Sequence, residues 1–233
     1  MEMEMIIHDI EQGSPEWHRV RAGCITGSMF YIARQKVGTL TEQQARYVQA
    51  IQAGKSEKEA MIAAGYKAKP KSEAIEKAIA GEVVGDFSEA AKNYAFRLAV
   101  ERISGKPLDE GFETWAMRRG QDLEQFARTE HETKIDEFVM PAGFITTDDR
   151  KFGASADGFV GDDGGAEYKC LVDPGRIRNI IMSNDISEFL DQCQGGMWIT
   201  RRKWWDFCLY CPALEPVGLQ LWRKRIFRDD NYI

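Results

Sequence analysis

Residues 155–170 read SADGFVGDDGGAEYKC, two strand-like segments joined by a turn rich in glycine and aspartate. GDDGG supplies the positive-φ positions that a tight hairpin needs, and the residues on either side have strand character. With the turn centred near Asp162 and Asp163, Asp157 and Glu167 fall opposite or nearly opposite each other. Residues paired across two strands hold their Cβ atoms about 5 Å apart. Two carboxylates at about 5 Å repel by roughly 3 kcal/mol at an effective dielectric of about 20, so such a pair persists only with a proton or a cation between them. Alternation along the strand puts Lys169 on the face of Glu167 and turns Tyr168 away, which leaves the Tyr168 main-chain carbonyl as a further oxygen ligand. An all-oxygen set with water at its open positions suits Mg²⁺ or Mn²⁺ rather than zinc. Taken alone, Asp-Gly and Glu-x-Lys also fit a solvated hairpin end. An EF-hand is excluded, because Phe159 stands two residues after Asp157, where that loop needs a carboxylate or amide.

The rest of the chain limits what can surround this hairpin. With 233 residues and 43% hydrophobic content, one well-packed domain, or one domain with an appendage, is expected. The opening MEMEMIIHDIEQG is acidic where a secretory leader is basic, and no stretch approaches the length of a membrane span, so the expectation is a soluble cytoplasmic protein without membrane contacts. The five cysteines, at 24, 170, 193, 208 and 211, are scattered and odd in number, as free thiols are in a reducing compartment. Cys208 and Cys211 lack a second ligand pair and point to opposite faces of a strand, which argues against zinc. GKS at 54–56 is no phosphate-binding loop, since Gln49 occupies the place of its first glycine, and no nucleotide cofactor is expected. A net charge of −6 opposes a uniform coat of nucleic acid. The charge is unevenly spread, however. Basic clusters at Arg118 and Arg119, Arg176 and Arg178, 201–203 and 223–225 leave room for a local basic path around an acidic pocket.

Periodicity and punctuation divide the chain into three regions. Residues 1 to 36 hold a turn at Ser14-Pro15, a short helix, and a second helix starting near Thr26 to Ser28. Residues 38–85 form short helices: Thr41 with Gln44 and Ser56 with Glu59 fit capping boxes, Gly54 and Gly65 sit at C-caps, and Pro70 and Ser72 open a further helix. The remainder reads helix (86–103), helix (112–131), strands (138–170), helix (186–200) and strands (204–227), an α/β order around a mixed sheet.

Taken in order, QGSPEWHRVRAGCITGS, GQDLE, SADG, EYK and DQCQGGMWIT resemble the phage lambda exonuclease and YqaJ viral recombinase family, a branch of the PD-(D/E)xK nucleases. The resemblance implies a restriction-endonuclease-like α/β core, a central mixed β-sheet flanked by helices, made of residues 1–37 and 86–233. It implies that Asp157, Glu167, Glu124 and the Tyr168 carbonyl hold the metal, Mg²⁺ or Mn²⁺, with two ions per site. Lys169 would orient or deprotonate the attacking water, with Gln192 supporting both. Arg21 and Ser28 match the pocket for the 5′-phosphate of a DNA end, Ser155 matches an active-site serine, and Met117 aligns with an apolar residue that wedges the strands apart. A lysine beside the water helps most when its pKa is lowered toward neutrality. Ala156 departs from the family's proline before the motif aspartate. Residues 38–85 stand outside the match as an insertion resembling the helix-turn-helix of phage terminase small subunits, with the pattern G-x-S-x-x-E-A-x-x-x-A-G-Y. Its Lys67, Lys69 and Lys71 would then meet phosphate. Equally, it is a helical appendage whose alanines pack on the core.

The activity implied is metal-dependent 5′ to 3′ digestion of linear double-stranded DNA, leaving 3′ single strands for a single-strand annealing protein in phage-type recombination. A homotrimer is implied with it. A PD-(D/E)xK endonuclease or RecB-type single-strand nuclease would share the metal set, but Arg21 with Ser28 favours an enzyme that recognises ends. A non-catalytic DNA-binding adaptor built on 38–85 is opposed by the intact Asp157, Glu167 and Lys169.

Overall fold

The computed structural model describes residues 5–108 and 114–233. They form two compact units, residues 5–31 with 96–108 and 114–233, and residues 32–95.

The first unit is built on two sheets. Four strands, β1 (Met5–His8), β2 (Ile25–Thr26), β6 (Phe144–Thr147) and β7 (Phe152–Ser155), pair in the order β1-β6-β7-β2. Five others, β5 (Val139–Met140), β8 (Gly158–Val160), β9 (Gly164–Lys169), β10 (Trp204–Tyr210) and β11 (Leu221–Phe227), run in the order β11-β10-β9-β8-β5. Both sheets are mixed, with β2 parallel to β7 and β9 parallel to β10. The strands expected over 138–170 therefore do not lie in one central sheet. Between β7 and β8 the chain leaves strand geometry at residues 156–157 and changes partners, from β6 to β9.

Helices cover the five-stranded sheet, and the alternation of β10 sets what each face packs against. Trp205, Phe207 and Leu209 are buried with Phe189, Cys193 and Met197 of α9 (Ser187–Thr200) and Ile180 of α8 (Pro174–Ser183). Cys208 belongs to the other cluster, with Ala166 and Tyr168 of β9 and Ala127 of α7 (Trp115–Ile135). The expected start of this helix at 112 lies outside the described residues. Gly195 and Gly196 let α9 close on its neighbours: a Cβ at Gly195 would strike the Phe30 ring, and one at Gly196 would press on Trp205.

The β8–β9 hairpin pairs Val160 with Gly164, Phe159 with Gly165 and Gly158 with Ala166, so one further step opposes Asp157 and Glu167. Arg202 pins its turn, with Nη1 donating to the carbonyls of Gly161 at 2.8 Å and Gly164 at 2.6 Å and the guanidinium lying 3.8 Å over Phe159. The rings of Trp204 and Trp205 occupy the space where Gly164 and Gly165 lack a Cβ. The remaining elements of this unit include α1 (Pro15–Arg21), which Ser14 caps by accepting from Trp17 N–H at 3.2 Å, and the 3₁₀ turns Gly27–Met29 and Pro212–Val217.

The second unit holds α3 (Glu42–Gln52), α4 (Glu57–Ala64) and α5 (Glu73–Ile79), with β3 (Lys36–Val37) antiparallel to β4 (Asp86–Phe87). Short α2 (Phe30–Ala33) and long α6 (Glu89–Ser104) straddle the boundary between the units. Both capping boxes form, at Thr41 with Gln44 and at Ser56 with Glu59, and Gly65 ends α4 at φ 76°. Ser72 precedes α5 without a side-chain cap bond. Ala50, Ala60 and Ala64 pack with Tyr47, Val48 and Ile75 into this unit's own core. The unit is wider than the 38–85 segment because the β3–β4 pair and the first turns of α6 belong to it.

Candidate active site

In the first unit α1, the 3₁₀ turn Gly27–Met29, α7, β7, β9 and α9 surround a cavity of about 520 Å³. Glu124, Asp157, Glu167, Tyr168, Lys169 and Gln192 line it, and so do Arg21, Ser28, Ser155 and Met117. Every residue that the resemblance assigns to the metal, water and 5′-phosphate sites thus lines one chamber, although the segments that supply them are up to 171 residues apart, between Arg21 and Gln192.

The acidic part of the lining is built on β9. Glu167, only 3% exposed, has its Oε1 bound by Lys169 Nζ at 2.6 Å and by Gln192 Nε2 at 2.5 Å. Asp157 Oδ2 accepts the Tyr168 N–H at 2.6 Å, and the Asp157 carbonyl accepts from Arg128 Nη2 at 3.1 Å. Arg128 also donates to Glu124 Oε1 at 2.9 Å, one helical turn away on α7. Burial and the charges of Glu167 and Glu124 raise the Asp157 pKa well above the usual carboxylate range. Glu124 is raised too, by burial against the opposing pull of Arg128 and with a further push from Glu167. Burial would lower Lys169, but Glu167 and Asp157 outweigh it and raise its pKa. Without a cation the lysine is therefore an ion-paired ammonium rather than the near-neutral amine that serves best as a base.

No three His, Cys, Asp or Glu side chains converge as a ready-made metal cage among the described residues. The donor chemistry nonetheless fits a hard divalent cation. Three carboxylates line one chamber, two of them held protonation-prone by burial first and by the charge of Glu167, and the side-chain ligand atoms are all oxygen.

A further part of the cavity lining comes from α1, the 3₁₀ turn and β7. The Arg21 guanidinium stacks 3.8 Å over the Trp17 ring, and Trp17 Nε1–H donates to Ser155 Oγ at 3.2 Å. Ser28 is exposed on the 3₁₀ turn, and a Cβ on its neighbour Gly27 would only just reach Gln192. Met117, 52% exposed, stands at the mouth on α7. Sequence reasoning passed over Trp17 and Arg128. Both were readable as i, i+4 partners, of Arg21 and Glu124.

A polar network lies behind β9. Tyr168 hydroxyl meets His131 Nδ1 at 2.9 Å, and His131 Nε2 meets Asp206 Oδ2 at 3.1 Å. Asp206 is fully buried, which would raise its pKa, yet hydrogen bonds from Arg225, His131 and Arg223 hold it far below the usual range. Tyr168, which lines the cavity, is thus tied by its side chain to α7 and, through His131 and Asp206, to β10 and β11.

A mixed sheet covered by helices, with two acids and a lysine at the paired ends of adjacent strands, defines the PD-(D/E)xK class of fold. The chain belongs to the YqaJ-like viral recombinase domain family, whose model matches residues 16–203. Its structure is similar to that of an alkaline exonuclease, LHK-Exo, from Laribacter hongkongensis, with a TM-score of 0.64 and 26% identity over 94% of this chain and 84% of that one. The structure of LHK-Exo in complex with dAMP is similar to the same extent, with a TM-score of 0.63 and 27% identity over the same shares. No curated protein matches the chain. No helix among the described residues is long and apolar enough to cross a membrane.

Proposed function

We propose that this protein is a deoxyribonuclease of the alkaline exonuclease type, a Mg²⁺- or Mn²⁺-dependent enzyme. On this reading it digests linear duplex DNA from 5′-phosphorylated ends and leaves 3′ single strands for an annealing protein. The observation that carries the proposal is one cavity lined both by Glu124, Asp157, Glu167, Lys169 and Gln192 and by Arg21, Ser28 and Ser155. An acidic set alone serves any phosphodiesterase, whereas a guanidinium in the same chamber suits an enzyme that holds a terminal phosphate while the bond next to it is cut.

Asp157, Glu167, Glu124 and the Tyr168 carbonyl would hold the cations, two per site. Bound there, they supply Lewis acidity, an activated water and charge stabilisation for the leaving oxygen. Gln192 and Lys169 share Glu167 Oε1 in the free protein, so both stand ready to orient a water beside that carboxylate. Lys169, held as an ammonium by Glu167 and Asp157, orients the attacking water by donating to it, and in its neutral form would take the water's proton on Nζ. Arg21 grips the terminal phosphate through charge-assisted hydrogen bonds, with Ser28 and Ser155 completing the pocket. Met117 at the mouth parts the strands. The second unit contains the insertion within this nuclease core, and the assembly around DNA is a homotrimer.

The test is one gel comparing 5′-phosphorylated linear, 5′-hydroxyl linear and circular duplexes with and without Mg²⁺. Loss of only the 5′-phosphorylated strand, and only with Mg²⁺, is expected. Cutting of the circle makes the protein an endonuclease instead.

A further inference from the structure

The loop that follows Arg21 is gripped by helix α6. Glu101 is buried at 4% exposure, and its Oε2 accepts the Gly23 N–H at 2.8 Å. Its other oxygen takes Arg97 Nε at 2.9 Å and the Leu108 N–H at 3.1 Å. The next residue, Arg102, donates Nε to the Gly23 carbonyl at 2.8 Å. Both main-chain polar groups of one glycine are thus bound by consecutive side chains of a helix that starts 66 residues later in the chain, at Glu89. Gly23 has φ 76°, and a Cβ there would collide with Arg102 Cγ, so only glycine lets the loop come this close.

This is an expensive way to close a short turn. A buried carboxylate is retained only when its acceptor sites are filled, and here one of those sites is spent on a loop N–H rather than on a second cation. The position explains the expense. Arg21 ends α1, Ala22 caps it, and Cys24 leads into β2, which pairs in parallel with β7, the strand of Ser155. The peptide at Gly23 decides how α1 exits, and hence where the Arg21 guanidinium lies on the Trp17 ring, whose Nε1–H is bound to Ser155.

We propose that Glu101 and Arg102 are positioning residues for end recognition: they clamp Gly23 and thereby set Arg21 where a 5′-phosphate meets it. The inference rests on the reading of Arg21 as the phosphate-binding arginine. Neither residue touches substrate. Their effect is on discrimination between ends.

The experiment compares kcat/KM on 5′-phosphorylated and 5′-hydroxyl duplexes for the wild type, Arg21→Ala, Glu101→Gln, Arg102→Met and Arg102→Lys, each checked for folding by thermal melt. The preference for phosphorylated ends falls on the order of tenfold in Glu101→Gln and about threefold in Arg102→Met, with the loss in KM for the phosphorylated end, while Arg102→Lys, which keeps a charged donor, recovers most of it. A merely structural role slows both substrates alike and leaves the ratio unchanged. An unchanged ratio in Glu101→Gln and Arg102→Met, with the preference abolished in Arg21→Ala, overturns the clamp and leaves the phosphate pocket standing. If Arg21→Ala keeps the preference, the pocket itself is wrong and the clamp falls with it. Should Glu101→Gln not fold, Arg102→Met, a change at an exposed side chain, decides the matter alone.

Discussion

Replacing Asp157 by asparagine separates a carboxylate pair that awaits a cation from one that merely decorates a hairpin. Asparagine keeps an oxygen for the Tyr168 N–H and removes one negative charge beside Glu167 and Glu124. One carboxylate repulsion at about 5 Å and an effective dielectric of about 20 is worth roughly 3 kcal/mol. The Lys169 ammonium already offsets part of it, so in EDTA the variant should gain about 1–2 kcal/mol, a rise of about 2–8 °C in melting temperature for a chain of this size. The pH dependence follows from the direction of the Asp157 shift. A carboxyl whose folded pKa is raised stabilises fully below its ordinary pKa, and that contribution is lost as pH rises through the folded value. Wild type in EDTA should therefore lose stability as pH rises from the ordinary carboxylate range through the raised folded value, and Asp157→Asn should lose less. With Mg²⁺ the order reverses, because ligand binding stabilises only the form that holds the ion well. Scanning fluorimetry across that pH range, with EDTA or with Mg²⁺, reads all of this. A variant that melts below wild type in EDTA, or that gains as much from Mg²⁺, refutes the reasoning.

Lys169→Ala should lower hydrolysis by at least about a hundredfold while duplex binding, followed by anisotropy in Ca²⁺, stays intact; turnover within about tenfold of wild type contradicts its role. Asp206→Asn leaves Arg223, Arg225 and His131 around a neutral group and should cost about 3–5 kcal/mol in urea unfolding. Because the Asp206 pKa is depressed, that deficit should hold through neutral pH and shrink only as pH falls through the low folded value; a deficit under about 1 kcal/mol refutes it. Gly165→Ala drives a methyl into the Trp205 ring and should destabilise by about 1–3 kcal/mol with a change in tryptophan fluorescence, and an unchanged midpoint speaks against the packing.

The hairpin was legible because its signals are local: turn residues at 161–163 and a two-residue alternation that pairs Glu167 with Lys169. The capping boxes of α3 and α4 were legible for the same reason. Helix α8 carried a signal that went unread, since Asp173 caps it through Arg176 N–H and Pro174 takes the first turn, a pattern obscured by attention to the arginines as a charge cluster. Strand β1 was illegible. MIIH is short and exposed, and it is a strand only because residues 144–147 pair with it. The change of sheet at 156–157 leaves no mark in composition, because Ala156 and Asp157 read as strand whether the partner is β6 or β9. The Tyr168, His131 and Asp206 network joins residues 37 and 75 positions apart, and the Glu101 clamp spans 78, distances over which one sequence has no periodicity to read.

The parallel pairing of β9 with β10 has a consequence for how the protein comes into being. Synthesis delivers residues 155–170 well before 202–210, and parallel strands cannot pair until the connection between them is complete. Until then the turn lacks Arg202, Gly164 and Gly165 lack the tryptophans that lie over them, and Gln192 is not yet carried on a packed helix. A nascent chain halted before β10 holds both acids and the lysine, yet lacks the strand that flanks β9 on its other side. On the function proposed above, the acids and the lysine reach their working spacing only after β10 has been made and has paired with β9.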